Sequence, residues 1–379
     1  MKCLLVYPYP IEADGVSLQG HYLYLGLRSL GVDVIQCHYK KSIQKDFYLK
    51  YLKPDFVIGI GFWGNVPEIL LDPQKNGLTV IPWFNADGWV ANYKEEFEKL
   101  KLMFTTSEWV RSIYKRDGID VSKIIPMHIG IDTNLFKPND DKEANLNLRR
   151  MLGLKDEEVM ILTVGGDVTS KGAQEMIKAL AEINKEFKNW VYVCKSWPSK
   201  CSKRWREFEE TLAEELGIRD KIIFLDDTFS PEFMVNILNA CDIYAAPSRI
   251  EGFGMIQVEA MACGKPVVSI NVGGPAETII HNKTGFLAGI VEEVVLTEEW
   301  AYPSMGFDER KKIKFNKPKT FGYRANVEDL KKYTLKLLTD KKLREEMGKE
   351  AREHAVKNFD YHVTSKKMLD IIKEKLELK

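Results

Sequence analysis

The sequence offers little for binding metal through cysteine and histidine. Its six cysteines, Cys3, Cys37, Cys194, Cys201, Cys241 and Cys263, are scattered over 379 residues, and none forms a Cys-x-x-Cys pair. That excludes a zinc ribbon or a thioredoxin-type redox motif and points to free core thiols in a reducing compartment. The six histidines show no metal-ligand spacing either, so no metal site is expected. No apolar run approaches the ~18 residues of a membrane span. Met1 leads straight into the apolar stretch Cys3-Leu4-Leu5-Val6-Tyr7, so no signal peptide and a cytoplasmic location are expected. Lys plus Arg and Asp plus Glu both number 55, giving zero formal charge, and nothing global favours nucleic acid. No basic amphipathic anchor stands out, so membrane association is open but not indicated. Internal repeats and low-complexity tracts are also absent.

The composition, 45% hydrophobic and 29% charged, builds real cores, and the length suits two domains. Strands are expected at 3–7, 32–35, 55–60, 78–82, 103–106 and 123–126, with a helix from about Leu18 to Leu30 after the first. A second series runs through 159–164, 190–194, 221–225, 242–246 and 266–270. Repeating βα units argue for parallel, doubly wound sheets. Residues 133–150 are polar and read as an irregular linker. The expected architecture is therefore α/β: a Rossmann-like domain over 1–150, joined by a C-terminal helix at 362–379, and a second over 151–361. Ligands of such sheets bind at the carboxyl ends of the strands, which places the site in a cleft that the two domains face across.

Residues 292–319 break the rhythm. Six acids (Glu292, Glu293, Glu298, Glu299, Asp308, Glu309) precede six bases (Arg310, Lys311, Lys312, Lys314, Lys317, Lys319), with Trp300, Tyr302, Met305 and Phe307 between them. The segment reads as an ordered surface excursion, with contact to an acceptor or partner as the sharper alternative.

The most informative stretch is 248–266. Glu251 stands in a glycine turn directly after an apolar strand, and Glu259 follows eight residues later in a helix. At about 3.6 residues per turn their directions differ by roughly 80°, so both can address one ligand lying across the helix N-terminus. The turn Gly252-Phe253-Gly254 exposes backbone N–H groups at the positive end of the helix dipole, a site for phosphate. A second glycine turn, Gly273-Gly274-Pro275, follows the next strand. Carboxylates for hydroxyls and bare amides for a phosphate suit a sugar nucleotide.

These residues resemble the Glu-x7-Glu motif of retaining nucleotide-sugar glycosyltransferases of the GT-B fold, in the large group called family 4. The likeness runs from Pro247-Ser248 through Gly273-Gly274-Pro275-Ala276-Glu277 to Gly285-Phe286. Weaker matches lie at Thr106–Val110, Pro126–Pro138, Val164-Gly165-Gly166 with Lys171-Gly172, and Ala351–Tyr361. The resemblance implies a donor site. Lys171 would pair with the diphosphate as a fixed counter-charge. Glu251 would contact sugar hydroxyls and Glu259 the ribose. The amides of Phe253, Gly254 and Met255, beside Gly252, would hold sugar or phosphate. Gly165 and Gly166 would form the phosphate loop, and Gly15 would let the phosphate approach the first domain. The substrates would be a nucleoside diphosphate sugar and an unidentified hydroxyl acceptor, small molecule or glycan, with no cofactor.

Three departures qualify this picture. The family's phosphate-loop Arg is replaced by Gly166, followed by Asp167. Lys195, Lys200, Lys203, Arg204 and Arg206 are the candidates to supply the missing cation. The family's catalytic-site His is absent, and Asn85 or Asp87 occupies that neighbourhood. The 292–319 excursion reads as an insertion. The rivals are another GT-B enzyme, a phosphorylase or sugar-nucleotide epimerase, and a non-catalytic sugar-nucleotide-binding partner subunit.

Overall fold

The computed structural model describes all residues except Ala13, Asp87, Asp140, Gly166 and Lys379, and the side chain of Cys201. The chain divides into two compact units. Unit 1 comprises 1–132, 295–321 and 358–379, and unit 2 comprises 133–294 and 322–357.

Unit 1 is built on six strands: β1 (Lys2–Tyr7), β2 (Asp33–His38), β3 (Phe56–Phe62), β4 (Val80–Asn85), β5 (Met103–Thr105) and β6 (Ile124–Pro126). They pair in parallel in the order β2-β1-β3-β4-β5-β6. Nearly every residue of β1, β3 and β4 is buried, as strands covered on both faces require. The first helix is Gly15–Ser29, beginning three residues before the expected Leu18. Asp14 sets that start, because its carboxylate accepts from the N–H groups of Val16 and Ser17, both at 2.9 Å. The last helix, Tyr361–Leu376, packs on it: Tyr22 and Tyr361 stack with ring centroids 6.4 Å apart. A Cβ on Gly26 would fall 2.0 Å from the Ser365 hydroxyl, so only glycine lets these two helices approach so closely.

Unit 2 carries β7 (Val159–Val164), β8 (Trp190–Ser196), β9 (Ile222–Asp226), β10 (Ile243–Ala245), β11 (Val267–Ile270) and β12 (Gly285–Ala288). They form a parallel sheet ordered β12-β11-β10-β7-β8-β9. The order reverses direction between β10 and β7, so the carboxyl ends of these two strands flank the topological switch point where such sheets bind ligands.

Two expectations are corrected. Residues 142–150 of the stretch 133–150 read as irregular linker lie in the helix Lys142–Met151 within unit 2. Asp141 caps it by accepting from the Ala144 N–H at 2.8 Å, and buried Arg149 ties it to Asp242 at 2.8 Å. The excursion at 292–319, read as lying on the surface, is ordered as part of a two-stranded ribbon, β13 (Ile290–Ala301) and β14 (Lys311–Ala325), that is partly packed into a core. Its portion 295–321 belongs to unit 1, where Phe315 and Phe321 pack against Trp89 at ring distances of 5.4 and 6.3 Å. Lys319 adds an ion pair of 2.9 Å to buried Asp117. Ile313, Phe315 and Phe321 therefore enlarge the core of unit 1, while Ile290, Val291 and Val295 remain exposed.

Candidate active site

The glycine turn at 251–254 follows β10 at the switch point. Gly254 adopts φ +90°, a left-handed conformation that favours glycine, and begins the helix Met255–Ala262. The Glu251 carboxylate is held at both oxygens. Oε1 accepts from the Gly254 N–H at 3.0 Å, and Oε2 lies 2.6 Å from Nζ of Lys171. Two residues singled out for the donor, 80 positions apart in sequence, thus form one partly buried ion pair. The Gly254 amide, expected to face a ligand, is bonded to Glu251.

Lys171 comes from the loop after β7. Its aliphatic stem crosses Gly165, where a Cβ would fall 2.5 Å from Lys171 Cγ. Gly165 is therefore needed to let the lysine lie across the loop. Gly172, at φ +82°, starts the helix Ala173–Ile183. A Cβ there would meet the Pro247 carbonyl oxygen at 2.3 Å. Gly172→Ala is expected to cost about 2–4 kcal/mol, combining left-handed strain with backbone overlap. Urea unfolding should show the midpoint falling with the slope unchanged.

The second glycine turn has a structural reason of its own. Gly274 donates to the Glu251 carbonyl at 2.8 Å, and a Cβ on Gly274 would lie 2.3 Å from Phe253 Cα. The two turns pack backbone to backbone, so the second one braces the first.

Glu259 is 3% exposed in the helix Met255–Ala262. Burial alone pushes its carboxyl up from 4.5 to about 8. Together with Glu251 it faces buried Tyr244, whose phenol is raised first by burial and then by these two carboxylates.

Of the candidate cations, Lys195 is corrected in position. It does not follow a strand but lies inside β8, 2% exposed. Its ammonium sits 5.0 Å from the Trp197 ring centre and 5.1 Å from that of Phe229. Burial lowers its pKa from 10.5 to about 8, while Asp227 works in the opposite direction. Its carbonyl accepts from the Gly165 N–H at 3.0 Å, which ties β8 to the start of the loop after β7. Arg206 is committed to Glu210 at 3.1 Å and Asp226 at 2.8 Å. Lys200, Lys203 and Arg204 are exposed on the helix Lys200–Glu215. Gly166 and Asp87 lie outside the described residues. Gly15 is the first residue of its helix, where the Asp14 carboxylate already takes the free amides. Asn85 ends β4, and its Oδ1 accepts from the Thr106 hydroxyl at 2.6 Å.

The bracing behind Lys171 and Glu251 has no counterpart in the motif reading. Arg249 reaches Gln174 at 2.8 Å and both oxygens of buried Glu175 at 3.0 and 3.1 Å. Its backbone N–H donates to the Ser170 carbonyl at 2.9 Å, joining the two loops. Arg324 adds a second cation on Glu175 at 2.8 Å. Below the loop, fully buried Glu209 accepts from the Thr169 hydroxyl and, at 3.3 Å, from the Gln174 amide. Burial chiefly pushes its carboxyl up to about 7. The only sequence signal for this network was Arg249 itself, two residues before Glu251.

Two six-stranded parallel α/β sheets with a glycine-turn site at one switch point define the GT-B glycosyltransferase fold. Residues 145–293 match the family model described as Glycosyl transferases group 1. A D-inositol 3-phosphate glycosyltransferase from Rhodococcus jostii is 30% identical over 207 residues, 54% of this chain and 44% of that protein. An uncharacterized glycosyltransferase from Methanocaldococcus jannaschii is 28% identical over 211 residues, 56% of this chain and 49% of that one. The chain thus spans about half the length, or less, of these curated relatives. Among solved structures, sucrose-phosphate synthase from Thermosynechococcus elongatus superimposes over 100% of both chains with a TM-score of 0.76 at 17% identity. HepE from Anabaena, solved with UDP and glucose, gives 0.73 at 15% identity, covering 99% of this chain and 100% of that one. At these identities the likeness is one of fold. Among the described residues, no helix is long and apolar enough to cross a membrane.

Proposed function

We propose that this protein is a retaining glycosyltransferase that moves a hexose from a nucleoside diphosphate sugar to an acceptor hydroxyl. The observation that carries the reading is the Lys171–Glu251 pair at the switch point of unit 2, inside the region matched to the glycosyl transferase family. In this reading a diphosphate draws the Lys171 ammonium from Glu251, which frees that carboxylate for sugar hydroxyls. Glu259 accepts from the ribose.

The bond from the anomeric carbon to the leaving phosphate oxygen breaks, and its electron pair stays on the diphosphate. The acceptor oxygen attacks from the same face and forms the new glycosidic bond. Its proton passes to a phosphate oxygen of the departing diphosphate. Lys171 meets the charge that grows on that group, so the reading requires no metal ion. UDP-sugars come first among candidate donors because the HepE complexes contain UDP.

The test is thermal unfolding against UDP-, GDP- and ADP-sugars, with Glu259→Ala as control. Ligand at about 100 times its Kd stabilises by about 2.7 kcal/mol, a Tm rise of several degrees. One nucleotide class is expected to raise the midpoint of the native chain and not that of the variant. No shift with any member of the panel overturns the donor assignment.

A further inference from the structure

We propose that the helix Ile43–Tyr51 of unit 1 is a docking face for an anionic lipid bilayer. The helix has two unlike sides. Lys45 and Leu49 face inward at 1% and 4% exposure. The Lys45 ammonium is anchored to Asp72 at 2.9 Å and to the Tyr39 carbonyl at 2.7 Å. Ser42 caps the start by accepting from the Lys45 N–H.

On the other side stand Ile43, Phe47 and Tyr51, 89%, 57% and 68% exposed. Spaced four apart, they fall within an arc of about 80°, and the rings of Phe47 and Tyr51 are 5.2 Å apart. A surface helix normally gives that arc to polar residues. A continuous exposed stripe of one aliphatic and two aromatic side chains marks an interaction site rather than a scattered apolar surface.

Charge selects the occupant. Lys40, Lys41, Lys50 and Lys53 are all exposed along this segment, and Asp46 is the one exposed acid between them. Lys75, 74% exposed, stands beyond Asp72 on the neighbouring turn. An apolar stripe edged by lysines is the composition of a helix lying in the plane of a bilayer interface, its rings among the acyl chains and its ammonium groups at anionic headgroups. A protein partner recognising the stripe alone would have no use for the lysine rim.

The test uses the full chain without donor or acceptor, so its result is separate from that of the glycosyl-transfer reading. Flotation is measured with vesicles of phosphatidylglycerol and phosphatidylcholine in equal parts, and with phosphatidylcholine alone. The chain is expected to float with the anionic vesicles and to be released as salt rises. Phe47→Ser with Tyr51→Ser should lower the bound fraction about tenfold or more. Lys41→Glu with Lys50→Glu should abolish the preference for anionic lipid. Because all four side chains are exposed, thermal midpoints should stay at the parent value. No flotation of the parent chain, or equal flotation of the Phe47/Tyr51 variant, overturns the proposal. So does a dimer in sedimentation that the same variant dissociates, since the stripe would then belong to a second copy.

Discussion

Lys171→Ala is expected to lower kcat for sugar transfer by about 10²–10³-fold, the loss typical of removing one fixed donor from a developing oxyanion. The KM for the donor should move much less. Charge on the diphosphate is already present in the bound donor but grows as the anomeric bond breaks, so a cation held by Gly165 and Glu251 acts most strongly on the transition state. Lys171→Arg should not rescue: the bulkier, planar fork does not reproduce a point charge whose stem must lie across Gly165. Glu251→Gln removes the partner and should also reduce kcat. The double variant should fall less than the product of the two single losses, because the residues act as a unit. If the ion pair were only structural, Lys171→Ala would lower Tm while leaving kcat within about threefold of the parent, and the double variant would recover the stability. The kcat-against-Tm split therefore separates the two roles.

The legible parts of the fold were those whose local pattern carries the information. Val159–Val164 is apolar except for Thr163, buried throughout, and reads as a strand covered on both faces. The turn around Gly254 was legible because its dihedrals favour glycine and a helix follows at once. The helix Lys142–Met151 was hidden by its polarity, since its inward anchor is Arg149 rather than an apolar stripe. The ribbon was hidden by its charge. Lys312-Ile313-Lys314-Phe315 alternates with a strand's period of two, but the acid and base runs drew attention to composition instead. The helix Ile43–Tyr51 went unread because its outer stripe is apolar and its inner face includes Lys45, the reverse of the usual pattern.

At the site the same division holds. Glu251 and Lys171 could be named from their motifs, but not that they bond to each other. Gly273 and Gly274 could be read as marking close approach, but not that the approaching group is the backbone of Glu251 and Phe253. Gln174, Glu175 and Glu209 look like ordinary helix surface, and only the fold brings Arg249 to the first two and Thr169 to the third. Contacts between segments 40 to 80 residues apart leave no periodicity in either segment.

Donor affinity is expected to pass through a narrow maximum near pH 8. Two groups of unit 2, Glu259 in the helix Met255–Ala262 and Lys195 in β8, titrate there for the same reason, burial, and with opposite consequences. Glu259 is raised to about 8, so below that pH it holds a proton. In the proposed donor site, ribose hydroxyls would donate to the ionised carboxylate, and affinity should therefore climb by up to about tenfold per pH unit as pH rises toward 8. Lys195 is lowered to about 8, so above that pH it loses its charge and its attraction for a diphosphate, and affinity should fall again. Stability without donor should show the mirror image. Glu259's contribution is fully present below about 4.5 and lost as pH rises through 8, because the unfolded chain gives up that proton earlier. Lys195 contributes the other limb: between 8 and 10.5 the unfolded chain holds a proton that the folded chain has released, so stability rises with pH there. Calorimetric Kd values across pH 6 to about 10, with Tm recorded in parallel, separate the two groups. Glu259→Gln should flatten only the acid limb and Lys195→Met only the alkaline limb. A Kd that is flat across this range in the parent chain would remove both residues from the donor site while leaving Lys171 and Glu251 untouched.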